Sequence, residues 1–181
     1  WQRGNSLASR GKWQAMAASS DGQHLAIISA KGNALNGGFI FTSSDGGSTW
    51  VERDSLGTKN WVGIAISTDG RKLAAVTARD LYVSADSGAT WNLVSALTAA
   101  NRIWGAIACS GDGQVLIAGD SGATGGSIYR SSDGGVTWSQ NLALSPAQWT
   151  SIAASDVGTK FVAAATKGSI YVSADRGLTW T

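Results

Sequence analysis

An eight-residue motif, Ser-x-Asp-x-Gly-x-Thr-Trp, occurs four times along this chain. The copies are Ser43, Asp45, Gly47, Thr49 and Trp50; Ser84, Asp86, Gly88, Thr90 and Trp91; Ser131, Asp133, Gly135, Thr137 and Trp138; and Ser173, Asp175, Gly177, Thr179 and Trp180. A second Trp stands a short loop beyond each motif column, at Trp13, Trp61, Trp104 and Trp149, and Trp1 holds the motif column before Trp13. All nine Trp therefore fall into two repeat columns, spaced 41 to 49 residues apart in the motif column. A fixed period of this length signals an array of one supersecondary unit.

Each unit reads as four short strands. Trp61–Ser67 is an apolar run closed by Thr68-Asp69-Gly70, Leu73–Thr77 follows, then Leu81–Ser84, the motif turn, and Trp91-Asn-Leu-Val94. Asp-Gly is a tight-turn signal because Gly tolerates φ > 0. No segment sustains a helical apolar stripe. Ile64 and Ala65 are neighbours that face opposite ways on a strand, yet both are apolar, as expected for sheets packed on both faces. The expectation is an all-β propeller of four-stranded antiparallel blades at about 13–60, 61–103, 104–148 and 149–181, with residues 1–7 adding the strand that closes the last blade.

The motif has its own physical logic. A short Asp accepts hydrogen bonds from turn N–H groups. The Gly supplies an awkward backbone angle, and the Trp fills the gap between blades. The motif resembles the Asp-box of sialidases and many other bacterial propellers, and that resemblance spans the chain with all four copies intact. It implies a propeller whose box caps the turn between the third and fourth strands, away from the ligand face. It implies a structural Asp, and an extracellular or cell-surface bacterial protein. The blades are also similar to those of photosystem-assembly-type propellers.

Composition narrows the function. Charged residues are 14% of the chain, the net charge is +2, and there is no basic run, which argues against nucleic acid. Apolar stretches are strand-length, so no membrane insertion is expected. The chain starts at Trp1 rather than Met and has no visible signal peptide, as in a processed or trimmed chain. Cys109 is single and shares its column with Ala18, Ile66 and Ala154, so it reads as a buried inert thiol. His24 stands in a turn column with Lys72, Val115 and Lys160 and reads as solvated. No metal or cofactor is expected.

The sialidase likeness implies three Arg, a Tyr–Glu nucleophile pair and an Asp acid. Tyr82, Tyr129 and Tyr171 share a column that Phe41 fills in the remaining copy, which marks packing rather than chemistry. The single Glu, Glu52, follows a motif Trp on an outer strand, and Asp54 lies two residues on, a pair more often solvated than catalytic. A non-enzyme is expected, with a sialidase-like hydrolase as the disfavoured reading.

Strand order puts the uniform turns on one face, the bottom, and the variable loops on the other, the top, where function usually sits. The top carries nine cations (Arg3, Arg10, Lys12, Lys31, Arg53, Lys59, Arg79, Arg102 and Lys167) against Asp54, Asp80 and Asp120. The bottom carries the motif Asp residues with Asp21, Asp69, Asp112 and Asp156 against Arg71, Lys72, Lys160 and Arg176. The candidate ligand-binding residues are Arg10, Lys12, Lys31, Asn33, Asn36, Arg53, Lys59, Arg102 and Asp120. The expected partner is an acidic protein or the chain itself; the alternative is a glycan stacked on the Trp13, Trp61, Trp104 and Trp149 column, which also reads as inter-blade packing. Long second loops alternate with short ones, so the chain reads as a duplicated two-blade unit. Its Ala- and Gly-rich faces favour more blades per ring than one chain holds, through two chains sharing a ring or an open assembly; a compact four-bladed monomer is the rival.

Overall fold

The computed structural model describes residues 7, 12–29, 37–98, 102–122, 125–166 and 169–181. Fifteen strands form four antiparallel sheets in chain order. The first sheet is β1 (Trp13–Ala18), β2 (Leu25–Ser29), β3 (Ile40–Ser43) and β4 (Val51–Arg53). The second is β5 (Trp61–Ile66), β6 (Leu73–Thr77), β7 (Leu81–Ser84) and β8 (Asn92–Leu93), followed by a 3-10 turn at Ser95–Leu97. The third is β9 (Trp104–Cys109), β10 (Leu116–Asp120), β11 (Ile128–Ser131) and β12 (Ser139–Gln140). The fourth has β13 (Trp149–Ala154), β14 (Phe161–Ala165) and β15 (Ile170–Ser173). Thr181 exchanges two backbone hydrogen bonds with Val172, 2.8 and 3.0 Å, in the place where Val51, Asn92 and Ser139 begin the outer strands of the other sheets. The strand expected from residues 1–7 lies outside the described residues, apart from Leu7.

Consecutive sheets pack through their innermost strands, β1 on β5, β5 on β9 and β9 on β13. Each of these strands has an irregularity just after its Trp, where the register skips Gln14, Val62, Gly105 or Thr150. Such a bulge reverses the alternation of faces. It places Trp61 on the same face as Ile64 and Ile66, Trp104 with Ile107, and Trp149 with Ile152, all turned toward the preceding sheet. The opposite faces are smaller, with Ala65 and Ala74, or Ala106 and Ala108, so that large side chains enter hollows. Three core clusters result, one at each junction between consecutive sheets.

Candidate binding face

The four motif turns are closed by their own residues. Each Ser Oγ–H donates to the Asp Oδ1 at 2.7–2.8 Å and accepts the motif Gly N–H at 2.9 Å. Each Asp also accepts the Thr N–H at 2.8–2.9 Å and the Thr hydroxyl at 2.5–2.6 Å. Each Trp Nε1–H donates to the carbonyl of the motif Gly, 3.0–3.2 Å away. These donors, the Thr first, hold Asp45, Asp86, Asp133 and Asp175 at a pKa of about 2, below the ordinary 3.8. With every carboxylate oxygen engaged inside its turn, the motif is a staple.

A second staple, read from the sequence only as an Asp-Gly turn, closes the hairpin between the first two strands of three sheets. Ser19, Ser67 and Ser110 donate to Asp21, Asp69 and Asp112 at 2.5–2.6 Å, and their Oγ atoms accept the N–H of His24, Lys72 and Val115. In the fourth sheet Val157 replaces that Asp, and Asp156 reaches past the third sheet to accept the Thr68 hydroxyl at 2.5 Å. Gly111 lies between them, donating its N–H to the Asp156 carbonyl (2.7 Å) and accepting the Thr68 N–H (2.8 Å). Beside this girdle a cavity of about 200 Å³ contains Cys109, whose thiol is pushed up to about 12 by burial.

The top face is built differently. The loops before β3 and β11 bring Gly38 and Gly126 alongside Lys59 and Ala147, in the lead-ins to the next sheets. The Trp61 and Trp149 indoles donate to the Gly38 and Gly126 carbonyls at 3.1 and 3.2 Å. The loop between β6 and β7 is short, and Trp104, 1% exposed, has an Nε1–H with no partner among the described residues. The two-blade alternation thus reaches the hydrogen bonding of the core.

Two candidate cations, each two residues ahead of an inner Trp, lie over the Tyr of their own sheet. Lys59 Nζ is 5.2 Å from the Tyr82 ring centre, and Arg102 Cζ is 4.4 Å from Tyr129 and 5.3 Å from Trp104. Arg102 also donates to the Leu97 carbonyl and to Tyr129 Oη at 3.0 Å, with Asp120 at 4.0 Å. Asp120 is buried and accepts the N–H groups of Ile103 and Gly122. The structure therefore brings Arg102 and Asp120 together as an internal pair. Arg53 points elsewhere: its Nε–H donates to Thr42 Oγ1 at 2.8 Å, and its stem runs past the Gly88 motif turn, between sheets. Lys12 is exposed ahead of β1, and Arg10, Lys31, Asn33 and Asn36 lie outside the described residues. Lys59 borders a groove of about 290 Å³ lined by Thr58, Asn60, Thr77, Ala78, Arg79 and Asp80. The inner Trp column offers little to a sugar, since Trp61, Trp104 and Trp149 are 3%, 1% and 0% exposed; Trp13 is 41% exposed.

No protein-family model matches the sequence, and no curated protein is similar to it. Solved structures are similar in fold. The GH74 enzyme of Niastella koreensis matches at a TM-score of 0.71 and 20% identity, over 93% of this chain and 29% of that one. The fold is a β-propeller. YCF48 bound to D1 peptide matches this propeller at a TM-score of 0.67 and 18% identity, over 96% of this chain and 55% of that one. A chain of the nidogen/laminin complex matches at 0.65 and 13%, over 91% of this chain and 62% of that one. The chain thus spans less than two thirds of each, and at these identities the likeness concerns fold alone.

Proposed function

We propose that this chain is a non-catalytic binding propeller whose top face takes an acidic segment of a protein partner. The observation that carries the reading is the groove between Thr58–Asn60 and Thr77–Asp80, with Lys59 and Arg79 among its lining residues. Its acidic member, Asp80, accepts the Tyr82 hydroxyl at 3.3 Å. Cations on a rigid scaffold attract an acidic chain over distances comparable to the Debye length. The sole Glu, Glu52, lies on outer strand β4, opposite Phe41, and does not line this groove, which supports binding over hydrolysis. Similar folds occur both in enzymes and in complexes with a peptide or protein. The glycan reading is weaker because three of its four Trp rings are buried.

The test is an array of acidic, neutral and basic peptides probed at two salt concentrations, beside a glycan array. Salt-sensitive capture of acidic peptides, reduced tenfold or more by K59E/R79E, is expected. Capture of glycans alone, or of peptides irrespective of charge, refutes the reading.

A further inference from the structure

Every junction between consecutive blades has the same place to fill, against the motif Gly of the following blade. At Gly135 the second blade fills it with Val83, 2.6 Å from where a Cβ would stand. At Gly177 the third blade fills it with Ile117 and the stem of Arg130, whose Nε–H donates to the Arg176 carbonyl at 2.7 Å. At the first junction the column of Val83 and Arg130 holds the shorter Thr42. Arg53 comes in from β4 instead. Its Cγ and Cδ lie 3.2 and 3.6 Å from the Cβ position of Gly88, and its Nε–H donates to Thr42 Oγ1 at 2.8 Å. Val83 shows that packing at this place needs no charge.

The short Thr42 and the incoming Arg53 leave a cavity of about 90 Å³ between the first two blades. Arg53, His24, Ser44 and Ser87 line it, and no carboxylate among the described residues does. Thr42 fixes Arg53 through Nε, while neither Nη has a hydrogen-bond or ion-pair partner among the described residues. The His24 ring is pressed against the first turn of the second blade, where a Cβ on Gly70 would lie 2.4 Å from its Cγ and Nδ1. Only the main chain of His24 is hydrogen-bonded, to Ser19, so both ring nitrogens are unbonded among the described residues. The carboxylates close by are already supplied with donors. Asp45 accepts the hydroxyls of Ser43 and Thr49 on the cavity wall, and Asp21, whose charge His24 feels, accepts the Ser19 hydroxyl and the Gln23 N–H.

We infer that this cavity binds a tetrahedral oxyanion, a sulfate or phosphate group, between the Arg53 guanidinium and His24, with the Ser44 and Ser87 hydroxyls as further donors. A guanidinium presents a planar fork to such oxygens, and charge-assisted hydrogen bonds are the strong ones. Size narrows the ligand. Cavities for organic ligands run to about 300–1,000 Å³, so about 90 Å³ admits one such group and nothing bulkier. The group is either a free anion or the end of a larger molecule that stays outside. The second junction offers no such place: Val83 occupies it, and Lys72, in the column of His24, lies along Gly113 with its Nζ 3.5 Å from the Cβ position of Gly134. Because Ser44 and Ser87 belong to successive motif turns, a bound oxyanion ties the first blade to the second. This inference goes beyond the acidic-partner reading and uses neither Lys59 nor Arg79.

The test is titration of the folded chain with sodium sulfate and with inorganic phosphate, against sodium chloride at equal ionic strength and fixed pH. Heteronuclear NMR follows the Arg53 Nε–H and the backbone amides of Ser44 and Ser87. Saturable shifts with either oxyanion, at a dissociation constant of about 1–10 mM, are expected, and none with chloride. R53L keeps a side chain against Gly88 and loses the guanidinium; it is expected to weaken binding tenfold or more. H24A leaves the packing at Gly88 alone and is expected to weaken it as well, so the inference stays testable if R53L does not fold. A monosaccharide sulfate ester is titrated in parallel. Tighter binding than inorganic sulfate assigns the site to a larger sulfated ligand, and equal or weaker binding assigns it to the free anion. Shifts that do not saturate, that chloride reproduces, or that survive unchanged in the folded variants overturn the inference.

Discussion

Gly111→Ala tests the girdle of turns formed by Thr68, Gly111 and Asp156. A Cβ at this position would lie 2.2 Å from Asp156 Oδ1, 2.5 Å from the Asp156 carbonyl oxygen and 2.5 Å from Thr68 Oγ1. The side-chain atoms can swing away. The carbonyl belongs to the backbone and also accepts the Gly111 N–H, so relief requires the turn of the fourth blade to move outward. Overpacking of this kind costs about 1–3 kcal/mol, and each hydrogen bond lost adds about 1 kcal/mol. The stiffer unfolded chain of the Ala variant offsets about 0.4–1 kcal/mol. The expected net loss is about 2 kcal/mol, which for a chain of this size lowers Tm by roughly 4–8 °C. Calorimetry and urea titration measure it. In an Asp156→Ala background the Oδ1 collision is gone and the carbonyl collision remains, so Gly111→Ala should cost less by about 1 kcal/mol, but not become neutral. A Gly111→Ala variant within about 0.5 kcal/mol of the parent, the ordinary range for surface changes, refutes the reasoning.

Three further outcomes are expected. The four motif Asp titrate at about 2 in the folded chain and near the ordinary 3.8 when unfolded, so their contribution is complete only above about pH 5 and is lost progressively as the pH falls through 3.8 and on through 2; urea midpoints at pH 7, 6, 4, 3 and 2 should hold between the first two and drop thereafter. Ser87 has φ 59° where two other motif copies use Gly46 and Gly134, so Ser87→Gly should stabilise by about 0.5 kcal/mol, and a loss in urea titration contradicts the strain argument. Trp104→Phe removes a buried N–H that has no partner among the described residues, whereas Trp149→Phe removes one bonded to Gly126; the first should cost about 1 kcal/mol less than the second, and equal costs by chemical denaturation count against it.

The motif was legible because its chemistry is local. Ser, Asp, Gly, Thr and Trp satisfy one another within eight residues, so spacing alone implies the turn. The inner Trp column was legible as packing for a similar reason, since a repeated large apolar side chain on a strand seeks a neighbouring sheet. The bulge after each inner Trp was not legible. It exists only in register with the partner strand, yet it decides which face carries Trp61 and Ile64 together. Among the candidate site residues, Lys59 borders a groove between loops, whereas Arg53 is the last residue of strand β4 and lies between sheets. Arg102 and Asp120 were chosen as free charges in a loop and instead meet each other beside two aromatic rings. Sequence reports charge; only the fold reports whether a charge is already engaged.

The asymmetry of the blade faces gives the packing of consecutive blades a direction. Trp61, Ile64 and Leu73 project back, while the preceding blade offers Ala26 and the hollows around Ala15 and Ala17. Large-into-small packing of this kind has a direction, so a back face cannot seat on another back face without leaving voids, and voids in a core are costly. A covering surface for the first blade therefore needs the shape of a forward face, with modest side chains and an apolar third-strand residue in the column of Ile40, Leu81 and Ile128. The fourth blade of this same chain carries such a face, with Ile170 in that column. The repeat thereby shapes the same junction three times, and it does so without using any side chain of the top groove.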